Sequence, residues 1–547
     1  MGLWCYNVTC KNQSAIKGIK MKENSRREFI FKSGAFIGSA AAAGMYGSKS
    51  NAMGKDSGFE VAFRKAEMKS DDEVNISADY KYSLVVSTED EVGPNLIMGE
   101  NCDFTAFQPG ENKDHGFLWV NNEALHQNIV WGKSIKSSEK TKKQIEFEKS
   151  QVGGTYIEIR RKNGKWETVK NSRKSFKISG QTQIPMAGPS KKRIIEGTLG
   201  NCGGGFTPWG SILTCEENFQ DFYFKPNLDE GLGWNKYGEK SEVDYGWVVE
   251  ILPNSKSARK LSALGRFPHE GATVFAEKGE KVAVYMGEDR RGGALFKFLS
   301  EGVFTGNPSK DKDLLVNGTL YAANLYHGRW EEMTPKHPAI QNNKTYKKKY
   351  STVASIVEDA TEVAKIVGAT PLNRAEDIEV DPKTGDVMIA LTNNHLAGDL
   401  YGQILKVSEK GKHGRSMEFT HEPFIVGGPS SGFSCPDNIC YGPDGTMYFA
   451  TDVSGYELGV GAQKMFKKNG LFKVEFDQKG HPIAIPLLYS PFEAEVTGPC
   501  FSSDGTTLFV SIQHPGEMSF KSKDDYTSNW PSGKGRPKSS VIAVERV

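Results

Sequence analysis

Gly385, Gly445 and Gly505 stand 60 residues apart, and each closes a turn between an acidic segment and a strand. Glu376 leads through DIEVDPKTG into DVMIALTNN, Asp437 through NICYGPDG into TMYFATD, and Glu495 through VTGPCFSSDG into TTLFVSIQHPGE. A strand unit repeated at fixed period, with Gly and Asp turns, is how propeller blades look in sequence. Looser copies precede these: Asp103 before GFLWVNNE, Cys202 before WGSILTCEEN and Glu270 before EKVAVYMGED. The steps between Gly116, Gly210, Gly279 and Gly385 are 94, 69 and 106 residues, as expected for the same unit carrying insertions. The expected fold is therefore all-β, a six-bladed β-propeller with inter-blade insertions. A closed ring of repeats cooperates whatever its length, so residues 81–547 are expected to form a single domain.

Composition agrees, since 59 Gly, 30 Phe and 19 Tyr suit tight turns and aromatic packing between sheets. The net charge of +2 argues against a nucleic-acid binder, which would carry a basic face. YKYSLVVST from Tyr80 and SSVIAVERV at the C-terminus both alternate as strands do. Pairing them in one blade would close the ring and remove an exposed sheet edge.

Residues 1–52 read as a leader and twin-arginine export signal. Arg26 and Arg27 follow Ser25, Phe29 and Ile30 come next, and a weakly apolar run extends from Gly34 to Met45. That run is too short to span a bilayer, SNA ending at Ala52 suits cleavage, and no cysteine follows for a lipid anchor. Met21 makes a better start than Met1. A periplasmic or secreted location, passage through the twin-arginine translocase and no stable membrane anchoring are expected. Residues 53–80 are polar and are expected to be a flexible lead-in. Without Cys5 and Cys10, six cysteines remain for an oxidising compartment, and Cys435 and Cys440 are close enough in sequence to consider pairing. Lys133 to Lys149 reads as a solvated hairpin, Lys344 to Lys349 as an exposed loop, and Thr352 to Gly368 as a helix with one buried face.

In a propeller the innermost strands all run along the central channel. Asp103, Cys202, Glu270, Glu376, Asp437 and Glu495 would then converge at one mouth. Five carboxylates and a thiol gathered there must take up protons or bind cations. Hard oxygen ligands suit calcium or magnesium, whereas a thiolate asks for iron or zinc. Singly, each acid reads as a turn-capping carboxylate; six in register do not. Arg374, two residues before Glu376, would point the same way and could grip phosphate with its planar fork. His269 and His514 read equally well as structural or catalytic.

NCGGGFTPWGSILTCEEN from Asn201, GRFPHEGA from Gly265, GAT from Gly368 with NRAED from Asn373, EAEVTGP from Glu493, SIQHPGE from Ser511 and SNWP from Ser528 resemble the PhoX-type alkaline phosphatases over nearly the whole expected mature chain. The resemblance implies a six-bladed propeller, twin-arginine export, and hydrolysis of phosphate monoesters by iron and calcium ions (Fe3+ and Ca2+). By position it implies catalytic roles for Cys202 as an iron ligand, Glu270 and Glu376 as acidic ligands, and Arg374 as the phosphate contact. Glu217, Asp437 and Glu495 fall in family motifs as metal contacts, and Glu123 and Asp103 complete the candidate set. Two motifs depart from the family: Asn121, Asn122 and Glu123 stand where Asn-His-Glu is expected, and NRAED replaces Asp-Arg-Pro-Glu-Trp. The expected partners are small phosphorylated organic molecules, acted on by a monomer. Three alternatives stay open: a relative with altered or lost activity, a calcium-dependent lactonase, and a non-enzymatic calcium-binding propeller.

Overall fold

Six sheets, each with an inner strand at one edge and antiparallel but for the parallel pair Gln183–Ala187 with Ser257–Leu261 in the second, build the ring. The structure, a computed structural model, describes residues 64–220, 232–237, 242–519 and 525–547. The proposed signal and its cleavage site lie outside the described residues. The inner strands of blades 1 to 6 are Cys102–Pro109, Asn201–Phe206, His269–Phe275, Ala375–Val380, Pro436–Tyr441 and Glu495–Phe501. Each pairs with an antiparallel second strand, in the same order His115–Asn122, Ile212–Glu216, Lys281–Glu288, Val387–Leu391, Met447–Thr451 and Thr507–Gln513. Apolar residues facing between blades hold the ring together. Phe107 of blade 1 stacks on Phe509 of blade 6 with centroids 5.6 Å apart, and Phe449 stacks on Phe472 within blade 5 at 5.3 Å.

The expected closure is present. Tyr80–Ser87 pairs with Ser540–Arg546 as the outer strand of blade 6, with Leu84 opposite Ile542. The lead-in is shorter than expected, because Asn75–Ile76 already adds an outer strand to blade 5 against Pro482–Tyr489.

Several local expectations are corrected. Gly385, Gly445, Gly505, Gly210 and Gly279 do sit at positive φ in turns, but Gly116 lies inside a strand, opposite Pro109 and Ile159. The stretch Lys133 to Lys149 is no hairpin. Thr141 caps a helix over Lys142–Gln151 through a reciprocal box with Gln144. Its lysines are not all solvated: Lys140 is buried against Glu148 at 2.9 Å, and Lys149 reaches Glu196 at 3.2 Å. Lys344–Lys349 is a short helix capped by Asn343, with Lys349 paired to Asp359 at 2.6 Å. Residues 352–368 form two helices, Val353–Glu358 and Ala360–Val367, rather than one. Of the seven apolar positions whose spacing implied a buried face, Ile356, Val357, Ala360, Val363, Ala364 and Val367 are buried, but Val353 at the start of the first helix is 48% exposed. All six cysteines of the described residues are free thiols, so Cys435 and Cys440 are not paired.

No helix of the described residues is long and apolar enough to cross a membrane.

Candidate metal centre at the channel mouth

The inner strands bring the expected ligands to one end of the channel by a repeated backbone device. A left-handed residue stands just before four of them: Asn101 (φ 45°), Gly200 (59°), Arg374 (54°) and Cys435 (52°). Glu493 (58°) stands two residues before a fifth. The chain so turned enters its strand with Asp103, Cys202, Glu376 or Asp437 as second residue, and a bulge follows at once. Bulges re-aim side chains beside functional sites, and here they leave the ligand residue unpaired and facing the mouth. The register is not identical in all six blades, as the sequence spacing implied. Glu270 lies in the ladder opposite Gly287, and Glu495 opposite Gln513, each upstream of its bulge.

A second ring surrounds the first. The second strand of each blade runs antiparallel to the inner one, so its end returns to the same mouth. Residues just past those ends are Glu123, Glu217, Asp289, Asp452 and His514. They line one cavity of about 220 Å³ together with Cys202, Glu270, Arg374, Glu376, Asp437, Glu495 and Glu517. Asp103 sits beneath, where it accepts from the Thr497 hydroxyl and, at 3.3 Å, from Gln513 Nε2. Gln513 also donates to Glu123 at 2.8 Å.

Two groups of three place one ligand atom each within 4.8 Å of one another: Glu123, Cys202 and Glu217, and Glu270, Glu376 and Asp437. Nine carboxylates line the cavity against one arginine. Burial and the neighbouring Glu217 and Asp437 push the Glu270 carboxyl well above its usual range, and both its oxygens are buried with no hydrogen-bond partner. Burial, then Asp452, lifts Asp437 to about 8, and burial lifts Asp377 to about 7. The Cys202 thiol is also held up, first by burial and then by Asp103 and Glu270. Buried acids without partners are uncompensated charge, so this donor set fits several bound cations.

Arg374 is fixed by a fork-to-fork pair with Asp289, Nε to Oδ1 and Nη2 to Oδ2, both at 2.9 Å. Its Nη2 also lies 3.0 Å from Glu376 Oε1, while Nη1 has no partner among the described residues. Burial alone would raise the Asp289 pKa, but the guanidinium overrides it and holds the carboxyl below its usual value. His514 Nε2 stands 3.5 Å from Glu495, and its ring lies 5.4 Å from His126, which burial and His514 push down to about 4. His269 is structural: it stacks on Phe267 and shares a hydrogen bond with the Gly265 carbonyl at 2.9 Å.

The sequence spacing left Asp289, Asp452, Glu517 and His126 unassigned. Asp289 and Asp452 stand at the ends of repeat strands already singled out, so an antiparallel return would have revealed them.

These charges imply a signed pH dependence for metal-free protein. Carboxyls whose pKa is raised in the fold bind more protons folded than unfolded, so their contribution is complete below about 4 and lost as pH rises through about 8. Metal-free protein is expected to melt roughly 5 °C or more higher at pH 5 than at pH 8 in a calorimetric scan. An equal or higher melting point at pH 8 would show that the acids are compensated without metal.

Fold and site together define a six-bladed propeller enzyme with its polar centre at the channel mouth. A family model described as Alkaline phosphatase PhoX matches residues 61–516, and the chain belongs to that family. It is accordingly an alkaline phosphatase. Among solved structures, the chain is similar to Pseudomonas fluorescens PhoX in complex with vanadate, a transition state analogue. The two are 26% identical with a TM-score of 0.78, over 88% of this chain and 98% of that one. An AA12 carbohydrate-active enzyme of Trichoderma reesei aligns at 9% identity and TM-score 0.38, over 88% and 99%. A periplasmic gluconolactonase of Pseudomonas aeruginosa aligns at 11% and 0.29, over 65% and 81%. No curated protein matches the chain.

Proposed function

We propose that this protein hydrolyses phosphate monoesters at the channel mouth, with calcium and iron as cofactors. The carrying observation is Arg374, clamped by Asp289 with Nη1 free to meet a phosphoryl oxygen, at the wall of a cavity otherwise lined by acids. An arginine preorganised by a carboxylate presents its remaining donor to a phosphoryl oxygen without reorganising as charge develops.

Glu270, Glu376 and Asp437 would hold one cation as hard oxygen ligands suited to calcium; Glu123, Cys202 and Glu217 would hold another, the thiolate favouring iron. When bound, the cations supply neutralisation of the phosphoryl oxygens and activation of the attacking water. The chain does the rest. Asp289 keeps Arg374 oriented, Thr392 donates to Glu376 and so fixes that carboxylate beside the guanidinium, and Asn218 donates to Glu217 at 2.7 Å. His514 and His126 line the same cavity. The mechanism requires no serine or histidine nucleophile.

The export-signal pattern supports a periplasmic or secreted location, with passage through the twin-arginine translocase; a cavity of about 220 Å³ with Arg374 in its wall supports small organic phosphates as substrates, and the protein is proposed to act as a monomer.

Prolonged chelation is the test. Hydrolysis of p-nitrophenyl phosphate is expected to fall at least tenfold and to return when calcium is restored, and elemental analysis is expected to find iron and calcium together. Activity unchanged after chelation would overturn the reading. Calcium without iron, together with lactone hydrolysis, would favour a lactonase.

A further inference from the structure

The rim of the channel is not uniformly polar. On the mouth face, the second-to-third strand loops of blade 4 (residues 392–402) and blade 5 (452–469) interlock. His395 Nε2 faces Glu457 at 3.7 Å, and Gln463 donates to the Leu400 carbonyl at 2.9 Å. These loops carry Leu396, 88% exposed, and Tyr456, Val460 and Met465, each between 61% and 63% exposed. Away from the C-terminal Val547, only Ile194 and Tyr326 expose so much among the large apolar residues described. Scattered apolar residues are ordinary on a surface, but four on two joined loops need an explanation.

Their position supplies one. Asn394 donates to Asn373 at 2.9 Å, and Asn373 donates to Asp399 at 2.9 Å, so the Leu396 loop is tied to the residue beside Arg374. Ser454 lines the cavity, and the Gly455 amide donates to Glu517 of the cavity wall at 2.7 Å, which sets Tyr456 at the brink. Val460 and Met465 are drawn together by the Gly459 to Phe466 hydrogen bond of 2.8 Å. A cavity of about 220 Å³ that holds a phosphoryl group and its cations leaves the alcohol portion of the ester outside, at this rim.

We propose that Leu396, Tyr456, Val460 and Met465 form a subsite for the alcohol portion of the substrate, so that the enzyme favours phosphate monoesters of apolar alcohols over those of polyols. The inference rests on the phosphatase reading above and adds the substrate class. The chemistry is plain burial: an alkyl chain lying on the rim leaves water, whereas a glycerol moiety gains nothing from doing so.

The test compares n-hexyl phosphate with glycerol 1-phosphate, whose more acidic alcohol is the better leaving group so that intrinsic reactivity works against the expected preference, in the metal-loaded enzyme and in the Leu396→Ser/Tyr456→Ser double variant. The wild type is expected to show a kcat/KM ratio of about tenfold or more in favour of hexyl phosphate, carried mostly by KM. In the double variant that ratio is expected to fall about tenfold. Because each ratio is internal to one preparation, partial misfolding of the variant does not disturb it. A ratio near one in the wild type, or an equal ratio in both proteins, would overturn the subsite while leaving the phosphatase reading intact. Phosphate release from neither ester would overturn the phosphatase reading itself and this subsite with it.

Discussion

Replacing Arg374 by alanine is expected to lower kcat/KM on p-nitrophenyl phosphate by about 10²–10³, the usual effect of removing one preorganised donor from developing oxyanion charge. The loss should fall mainly on kcat, because the donor gains strength as phosphoryl charge builds. A further effect follows from the pairing. Asp289 is bound through both oxygens by this guanidinium, and without it a buried carboxylate loses its cation. Arg374→Lys restores charge but not the fork, so it should recover only part of the activity. Steady-state kinetics on protein verified as folded by circular dichroism would decide. A kcat/KM within threefold of wild type would remove Arg374 from the phosphate.

Glu270→Gln is expected to act with opposite signs in the two forms of the protein. In loaded enzyme it should remove one ligand from the Glu270, Glu376, Asp437 group, lowering bound metal by about one ion per chain and activity by about 10² or more. In metal-free protein it should stabilise, because both Glu270 oxygens are buried without partners among like charges. Unfolding entropy of about 2.1 cal/mol/K per residue makes 1 kcal/mol worth roughly 1 °C in a chain of this size, so a rise of about 1–3 °C is expected. The gain should grow with pH, since at low pH the wild-type carboxyl is already protonated and amide and acid are equivalent. Destabilisation of the metal-free form would mean that Glu270 has an unrecognised partner.

How much of this was legible beforehand depends on the range of the physics involved. The ring and its inner ligands could be read because one short local pattern, an acid, a turn glycine and a strand, repeats at constant spacing. Closure by Tyr80–Ser87 against Ser540–Arg546 was legible from alternation alone. The small offsets of Glu270 and Glu495 were not, because bulge placement depends on contacts between blades. Nor was the helix at Lys142–Gln151. The lysines of this stretch look solvated in sequence, and Lys142 and Lys143 are; it is the distant Glu196 that lets Lys149 be buried, and Glu148 that does so for Lys140 just before the helix. Cysteine spacing misled for a related reason: Cys440 lies on the inner strand of blade 5 while Cys435 precedes it, and both remain thiols. Asp289 and Asp452 needed knowledge of which strand returns to which mouth.

The left-handed turn before the inner strands has a consequence for how such a protein can change over generations. Holding a side chain other than glycine there costs on the order of 1–2 kcal/mol. Heat selection without regard to turnover would therefore drive Asn101 and Cys435 toward glycine. The same pressure at Arg374 would erase the anion grip, so at that position durability and catalysis pull against each other, and a hardier descendant must find its robustness elsewhere on the wheel.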